Sequence, residues 1–160
     1  MRNKNKISTV ASAVIFLAAG CMGGLIAPGS FADATGDDTT PPDITILNPE
    51  EGSIHLGGIE LFPNPFGVTM TMAAFILRPG IVSATDNIDQ ANELTVTVSL
   101  DGKQPITASF VPCDNTFEWQ GSLGIGFGMH TLTITAEDTS GNVGTAEMEV
   151  FYLCILPASN

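Results

Sequence analysis

The sequence has 160 residues, of which 44% are hydrophobic and only 14% are charged, and it contains 17 glycines and 10 prolines. That glycine and proline content favours many turns and argues against a helical bundle. Acidic residues outnumber basic residues by 17 to 5, which gives a net charge of -12. We therefore expect no nucleic-acid or anionic-lipid partner, because binding to a phosphate backbone requires clustered Lys and Arg.

The N-terminus has the order of an export signal. Three of the five cations lie in residues 1–6, and residues 7–26 carry no charge. Pro28 and the glycine after it would end a helix shortly before Ala32, where small residues suit a signal peptidase. The sequence predicts a signal peptide over residues 1–32. The exported chain would keep all 17 acidic residues but only two cations, a net charge of -15.

Three other interpretations of this segment remain open. The letters LAAGC, ending at Cys21, resemble a lipobox, in which the peptidase cuts before a lipid-modified cysteine. Processing after Lys6 would instead leave an apolar helix beginning at Ile7 on the mature protein, as in pilins. Residues 7–26 are also near the length of a membrane span, so they would serve as an uncleaved anchor.

Residues 33–42 form a predicted linker. They are polar and acidic and end in a Pro-Pro pair, a composition that favours an extended arm without a buried core. A folded domain is expected over residues 43–156, followed by a short tail at 157–160.

The domain has the alternating pattern of β-strands. Apolar and polar residues alternate over 94–100 and 132–136, and Asx- and Gly-containing turn sequences such as DNID at 86–89 separate the runs. The predicted strands cover residues 43–48, 54–56, 68–77, 81–85, 93–100, 105–111, 116–120, 129–137 and 143–153. So many short strands predict an all-β antiparallel sandwich or barrel. The apolar run at 72–77 fits either a buried strand or a short helix.

Several segments resemble the immunoglobulin-like domains of bacterial and archaeal secreted and cell-surface proteins. The segments are PPDITILNPEEG (41–52), VSATDN (82–87), LTVTVSLDGK (94–103), FEW (117–119) and GMHTLTITAEDTSGN (128–142). The resemblance spans Pro41 to Tyr152 and implies a seven-stranded immunoglobulin-like sandwich. The chain departs from the family pattern between Met72 and Gly80, where it is several residues longer than that pattern. Domains of that family serve as binding or spacer modules, and for this chain the resemblance implies such a role by analogy of fold alone.

Acidic residues gather at one expected pole of that sandwich. In this topology the start of the first strand and two inter-strand loops meet at that pole. Their carboxylate and amide oxygens would suit calcium, which takes about six to eight oxygen ligands. The calcium candidates are Asp43, Asp86, Asp89, Glu137 and Asp138. Capping of tight turns by side-chain hydrogen bonds accounts for the same residues and is the simpler interpretation.

No catalytic motif is visible in the sequence, and we expect no enzyme and no cofactor other than the candidate calcium. Trp119, the single tryptophan, is expected in the core. The strand directions put Cys113 and Cys154 at opposite poles. A strand of about eight residues spans about 26 Å, whereas bridged Cα atoms lie within about 7 Å. The pairing of these cysteines is therefore left open.

The expected function is that of a noncatalytic module exported to the cell surface or medium and used for adhesion, spacing or assembly. Its partner would be a cell-envelope protein or polysaccharide. One alternative is a lipid- or helix-anchored subunit of a surface filament or surface layer. Another is an accessory carbohydrate-binding module of a hydrolase system, which predicts an exposed strip of aromatic side chains.

Overall fold

The computed structural model describes residues 38–159. The predicted signal peptide, Cys21 and the alternative anchor at 7–26 lie outside the described residues. The strands are β1 (Asp43–Asn48), β2 (Ser53–Leu56), β3 (Ile59–Pro63), β4 (Thr69–Met72), β5 (Phe75–Thr85), β6 (Thr95–Leu100), β7 (Ile106–Thr107), β8 (Ser109–Val111), β9 (Thr116–Gly121), β10 (Gly126–Glu137) and β11 (Val143–Cys154). A single 3₁₀ turn, Ala91–Glu93, is the only helical element in this part of the chain. No helix between residues 38 and 159 has the length and apolar character needed to cross a membrane.

The strands form two sheets that pack as an immunoglobulin-like sandwich, so the predicted all-β fold is confirmed. One sheet has the order β1-β5-β9-β8 and the other the order β3-β2-β4-β11-β10-β6-β7. The first order matches the A-B-E-D sheet of an immunoglobulin domain, and β6-β10-β11 matches its C-F-G sheet. The strand count exceeds the seven that the resemblance implies. The β2–β3 hairpin and β4, which pairs in parallel with β11, account for most of the excess.

The core lies between the sheets and follows from the period-two pattern. Alternate residues of β5, β9, β6 and β10 point inward, and each buried aliphatic or aromatic side chain contributes about 1.5–3 kcal/mol relative to exposure. Trp119 is 2% exposed. Its ring lies edge-on to Phe75 with the centroids 5.1 Å apart. The expectation that Trp119 packs in the core is confirmed.

The region between residues 57 and 80 differs most from the prediction. The exposed strand β3 was not predicted, and the predicted strand at 68–77 is divided by Ala73 and Ala74, which both have positive φ. Phe75 pairs with Gly121 and Gly80 pairs with Trp119, so β5 bulges between these points. This bulge contains the extra residues that the sequence suggested. The apolar run at 72–77 is therefore neither a continuous buried strand nor a helix.

The end of the linker is attached to the sandwich. Pro42 is buried, and Asn142 Nδ2 donates a hydrogen bond of 3.0 Å to the backbone oxygen of Asp38. A Cβ atom added at Gly144 would overlap the carbonyl oxygen of Pro42. The linker therefore lies directly against the start of β11, and its last residue, Pro42, is buried although the composition of the linker favours an extended arm without a buried core.

The two described cysteines lie in different surroundings. Cys154, at the end of β11, is a buried free thiol, and its Sγ atom is 3.4 Å from Ser122 Oγ. Cys113 lies in the turn between β8 and β9. The structure therefore contains no disulfide between these two residues.

Candidate functional site

The structure brings three carboxylates together at one pole of the sandwich. Asp38 belongs to the linker, Asp86 follows β5, and Asp138 follows β10. One carboxylate oxygen from each lies within 4.8 Å of those of the other two. We call Asp38, Asp86 and Asp138 the acidic cluster. Asp86 and Asp138 were predicted at this pole, whereas Asp38 was assigned only to the linker.

Asp138 is held in place by its own turn. Its side chain is buried, and its Oδ1 atom accepts hydrogen bonds from the backbone N–H groups of Ser140 and Asn142, both at 2.8 Å. Its Oδ2 atom accepts a hydrogen bond from Asn142 Nδ2 at 2.8 Å. Burial raises the pKa of Asp138, but the hydrogen bonds from Asn142, Ser140 and Gly141 outweigh that effect and hold the pKa below its ordinary value. The Asp138 carboxylate is therefore kept in its charged form.

Asp86 and Asp38 each leave one oxygen without a hydrogen-bond partner. Asp86 Oδ2 accepts hydrogen bonds from the N–H groups of Ile88 and Asp89, at 2.8 and 3.0 Å. Asp38 Oδ1 accepts one from Thr40 N–H at 3.0 Å. The remaining oxygens, Asp86 Oδ1 and Asp38 Oδ2, are buried and have no partner. Burying a charged oxygen without compensation is costly, so a cation in this cluster would offset the cost.

The other three predicted residues lie outside the acidic cluster. Asp89 binds the neighbouring turn, because its carboxylate accepts hydrogen bonds from the N–H group of Thr139 at 3.0 Å and from its hydroxyl at 2.8 Å. Asp43 and Glu137 are exposed at the ends of their strands. The turn-capping role expected for Asp86 and Asp138 is present, and in Asp86 it uses only one of the two oxygens.

Asp38 and Asn142 complete the pole and were missed as a pair. The signal in the sequence was a pair of acidic residues, Asp37 and Asp38, separated by two threonines from the Pro-Pro pair that leads into β1. Only the folded chain shows that Asn142 reaches both Asp38 and Asp138. The pole therefore brings together carboxylate oxygens from the linker, the β5–β6 loop and the β10–β11 turn, and oxygen is the ligand atom that calcium prefers.

No protein-family model matches the sequence, and no curated protein matches it. The fold and the geometry of the acidic cluster are therefore the features that bear on function.

Proposed function

We propose that this chain is a noncatalytic immunoglobulin-like module of an exported or cell-surface protein, serving adhesion, spacing or assembly, and that its acidic cluster binds calcium. The observation that carries the proposal is the meeting of Asp38, Asp86 and Asp138 within 4.8 Å of one another at the pole where the linker enters. The resemblance to the immunoglobulin-like domains of bacterial and archaeal surface proteins supports the same role.

The ligand set favours calcium over magnesium. Calcium takes about six to eight oxygens in flexible arrangements, whereas magnesium demands a near-ideal octahedron and keeps several waters. The acidic cluster offers three carboxylates, whereas magnesium sites in proteins usually use one or two. Sites of modest affinity, with Kd values of about 0.1–1 mM, are typical of extracellular modules, which agrees with the predicted export.

The position of the cluster gives the ion a mechanical role. Asp38 lies in the linker before β1, and Asp86 and Asp138 lie in loops of the sandwich. A calcium ion shared by them would fix the direction in which the linker leaves the module. A module with a rigid connection holds whatever is attached to it at a defined distance, which is what spacing and adhesion require.

The alternative function, a carbohydrate-binding module, has little support because the two aromatic side chains best suited to stack on a sugar are buried. Such a module stacks sugars on exposed aromatic rings, but Trp119 and Tyr152 are 2% and 1% exposed. Both side chains belong to the core and are not available for stacking.

Thermal unfolding of the full chain tests the calcium proposal. Millimolar calcium should raise the melting temperature more than sodium at matched ionic strength, since an ion at a thousand times its Kd adds about 4 kcal/mol of stability. Asp38→Asn should abolish this difference, because it removes charge from a carboxylate with an unpartnered oxygen. Glu137→Gln, an exposed change next to the cluster, should preserve it. Equal melting temperatures of the unaltered protein in the two salts would refute calcium binding.

The N-terminus of the native protein tests the exported state separately. We expect a mature chain that begins at Asp33, as measured by intact mass and N-terminal sequencing. An acylated Cys21, or a mature chain beginning at Ile7, would replace the soluble exported form with an anchored one.

A further inference from the structure

A second charged region lies at the far end of β1 from the acidic cluster. It is a cleft of about 360 Å³, bounded by the end of β1, the β2–β3 hairpin, β5 and β9. Its ionisable lining residues are Glu50, His55, Glu60, Arg78, Asp114 and Glu118. Four carboxylates against one arginine give this cleft a clear excess of negative charge.

The walls of the cleft are fixed by the fold. Ile81 in β5 pairs with Glu118 in β9, and the next pair, Val82 with Phe117, lies in the core. Because side chains alternate along a strand, Glu118 points to the outer face of the four-stranded sheet. The buried side chain of Asn48 donates hydrogen bonds to the backbone oxygens of Gly58 and Pro79, which holds the β2–β3 hairpin beside that sheet.

His55 lines the cleft and provides an observation that is independent of the carboxylates. Its side chain is 1% exposed. Its Nε2 atom is 3.4 Å from the backbone carbonyl oxygen of Glu50. A carbonyl oxygen only accepts, so Nε2 is the donor in this contact, and a ring that carries its single proton on Nε2 has Nδ1 as an acceptor. Nδ1 is buried without a hydrogen-bond partner, and buried polar atoms in folded proteins nearly always have one.

We propose that this cleft binds an organic cation with N–H donors, that is, the ammonium or guanidinium group of an amine or of a lysine or arginine side chain. Such a group supplies positive charge to the carboxylates and an N–H donor to His55 Nδ1. Arg78 donates no hydrogen bond to Nδ1, which has no partner in the structure, and its single charge does not balance the four carboxylates. Within the described chain the acidic cluster is the only set of ligand atoms close enough for a metal ion, so a metal is not the expected occupant of the cleft.

This binding site is independent of the proposed calcium site. The lining residues of the cleft and the three aspartates of the acidic cluster have no member in common. Failure of one proposal therefore leaves the other intact, and a titration in calcium-free buffer reports on the cleft alone.

The test is a titration of the full chain, in calcium-free buffer, with four probes: Nα-acetyl-lysine amide, Nα-acetyl-arginine amide, 1,4-diaminobutane and tetramethylammonium. Binding is followed by calorimetry and by the ring signals of the two histidines, which His130→Gln assigns. We expect saturable binding of the N–H cations with a shift at His55. Tetramethylammonium has the charge but no N–H donor, so it should not bind. Tighter binding of the capped amino acids would indicate a partner's side chain, and tighter binding of diaminobutane would indicate a free amine.

Matched substitutions separate the cleft from general attraction to an acidic protein. Glu118→Gln should weaken binding about tenfold, as expected for losing one charge-assisted hydrogen bond. Glu147→Gln removes the same charge from an exposed position outside the cleft and should leave the affinity unchanged. Equal losses in the two variants, equal binding of tetramethylammonium, or no saturable shift at His55 would overturn the proposal. The histidine signals are measured without any variant in the cleft. They therefore test binding in the cleft even if Glu118→Gln fails to fold.

Discussion

The acidic cluster and the cleft both collect carboxylates, but they differ in spacing and in what surrounds the charges. In the acidic cluster three carboxylate oxygens lie within 4.8 Å of one another. In the cleft four acidic side chains surround about 360 Å³ together with Arg78 and His55. A compact set of oxygens suits a small hard cation, whereas a wide set of carboxylates beside an unpartnered ring nitrogen suits a larger cation with N–H donors. Net charge alone would not distinguish the two sites.

The two regions also differ in how the chain builds them. Two of the three residues of the acidic cluster, Asp86 and Asp138, are positioned by turns formed within a few residues of themselves. The cleft depends on contacts between segments far apart in sequence, such as the bond from Asn48 to Pro79. Substitutions that disturb the pairing of β5 with β9 should therefore affect the cleft. Substitutions near the linker should affect the acidic cluster.

The largest effect is expected for Gly80→Ala. A Cβ atom at this position would overlap the indole ring of Trp119, which is packed in the core and cannot move away freely. Overpacking of this kind costs about 3 kcal/mol, measurable by urea denaturation. Binding of diaminobutane should weaken as well, because Ile81 and Glu118 belong to the same pair of strands.

The double variant Gly80→Ala with Trp119→Phe checks that mechanism. Phenylalanine lacks the second ring of the indole, so the added methyl group should find space. The loss of stability in the double variant should then be smaller than the sum of the two single losses. Additive losses would show that contact with the indole is not the cause.

The next largest effect is expected for Gly144→Ala, at the other region. The added Cβ atom would overlap the carbonyl oxygen of Pro42, so the linker would have to move away from β11. We expect a loss of about 2 kcal/mol and the disappearance of the extra stabilisation by calcium, since Asp38 precedes Pro42 by four residues. Amine binding at the cleft should not change.

The adjacent Val143→Ala is the control for this substitution. Val143 is 51% exposed, and surface changes of this kind stay within about 0.5 kcal/mol. Retention of the calcium effect in Gly144→Ala would mean that the position of the linker does not matter for the ion.

The comparison of the two regions also explains what the sequence could predict. Strand β1 was predicted with its observed bounds, and β6, β9, β10 and β11 were predicted to within a few residues. Apolar and polar residues alternate in β6 and in the second half of β10, and turn sequences lie at the ends of the other strands. The acidic cluster was partly predicted, because Asp86 and Asp138 cap local turns. Asp38 was missed because its contact with Asn142 joins residues more than a hundred positions apart.

The cleft was not predicted because its formation depends on β3. All five residues of that strand are exposed, so Ile59–Pro63 shows no alternation of burial. The positive φ angles at Ala73 and Ala74 are also unusual for residues other than glycine and carry no sequence signal. Patterns of period two record which face of a strand is buried, and they contain no information about a hairpin held beside the sheet through Asn48.

The smallest expected effect is a change in how the free energy of unfolding depends on pH in acid. It compares the acidic cluster with Asp101, a carboxylate at the opposite end of β6. There, Asp101 accepts a hydrogen bond from His130 at 2.6 Å and another from Thr131 N–H at 3.0 Å. The hydrogen bond from His130, followed by that from Thr131, lowers the pKa of Asp101. The pKa of Asp138 is also lowered, so both groups have folded pKa values below the ordinary 3.8.

A carboxyl group with a lowered pKa stabilises the fold when it is ionised. Its contribution is complete above the ordinary value of 3.8 and disappears as the pH falls through the lower value in the folded protein. In calcium-free buffer, Asp138→Asn and Asp101→Asn should each make the free energy of unfolding less dependent on pH below about 4. The two reductions should add in the double variant, because the sites lie at opposite ends of β6 and share no partner. With calcium present, only Asp138→Asn should also remove the stabilisation by the ion. Loss of that stabilisation in Asp101→Asn would mean that calcium acts through the overall negative charge and not through the acidic cluster.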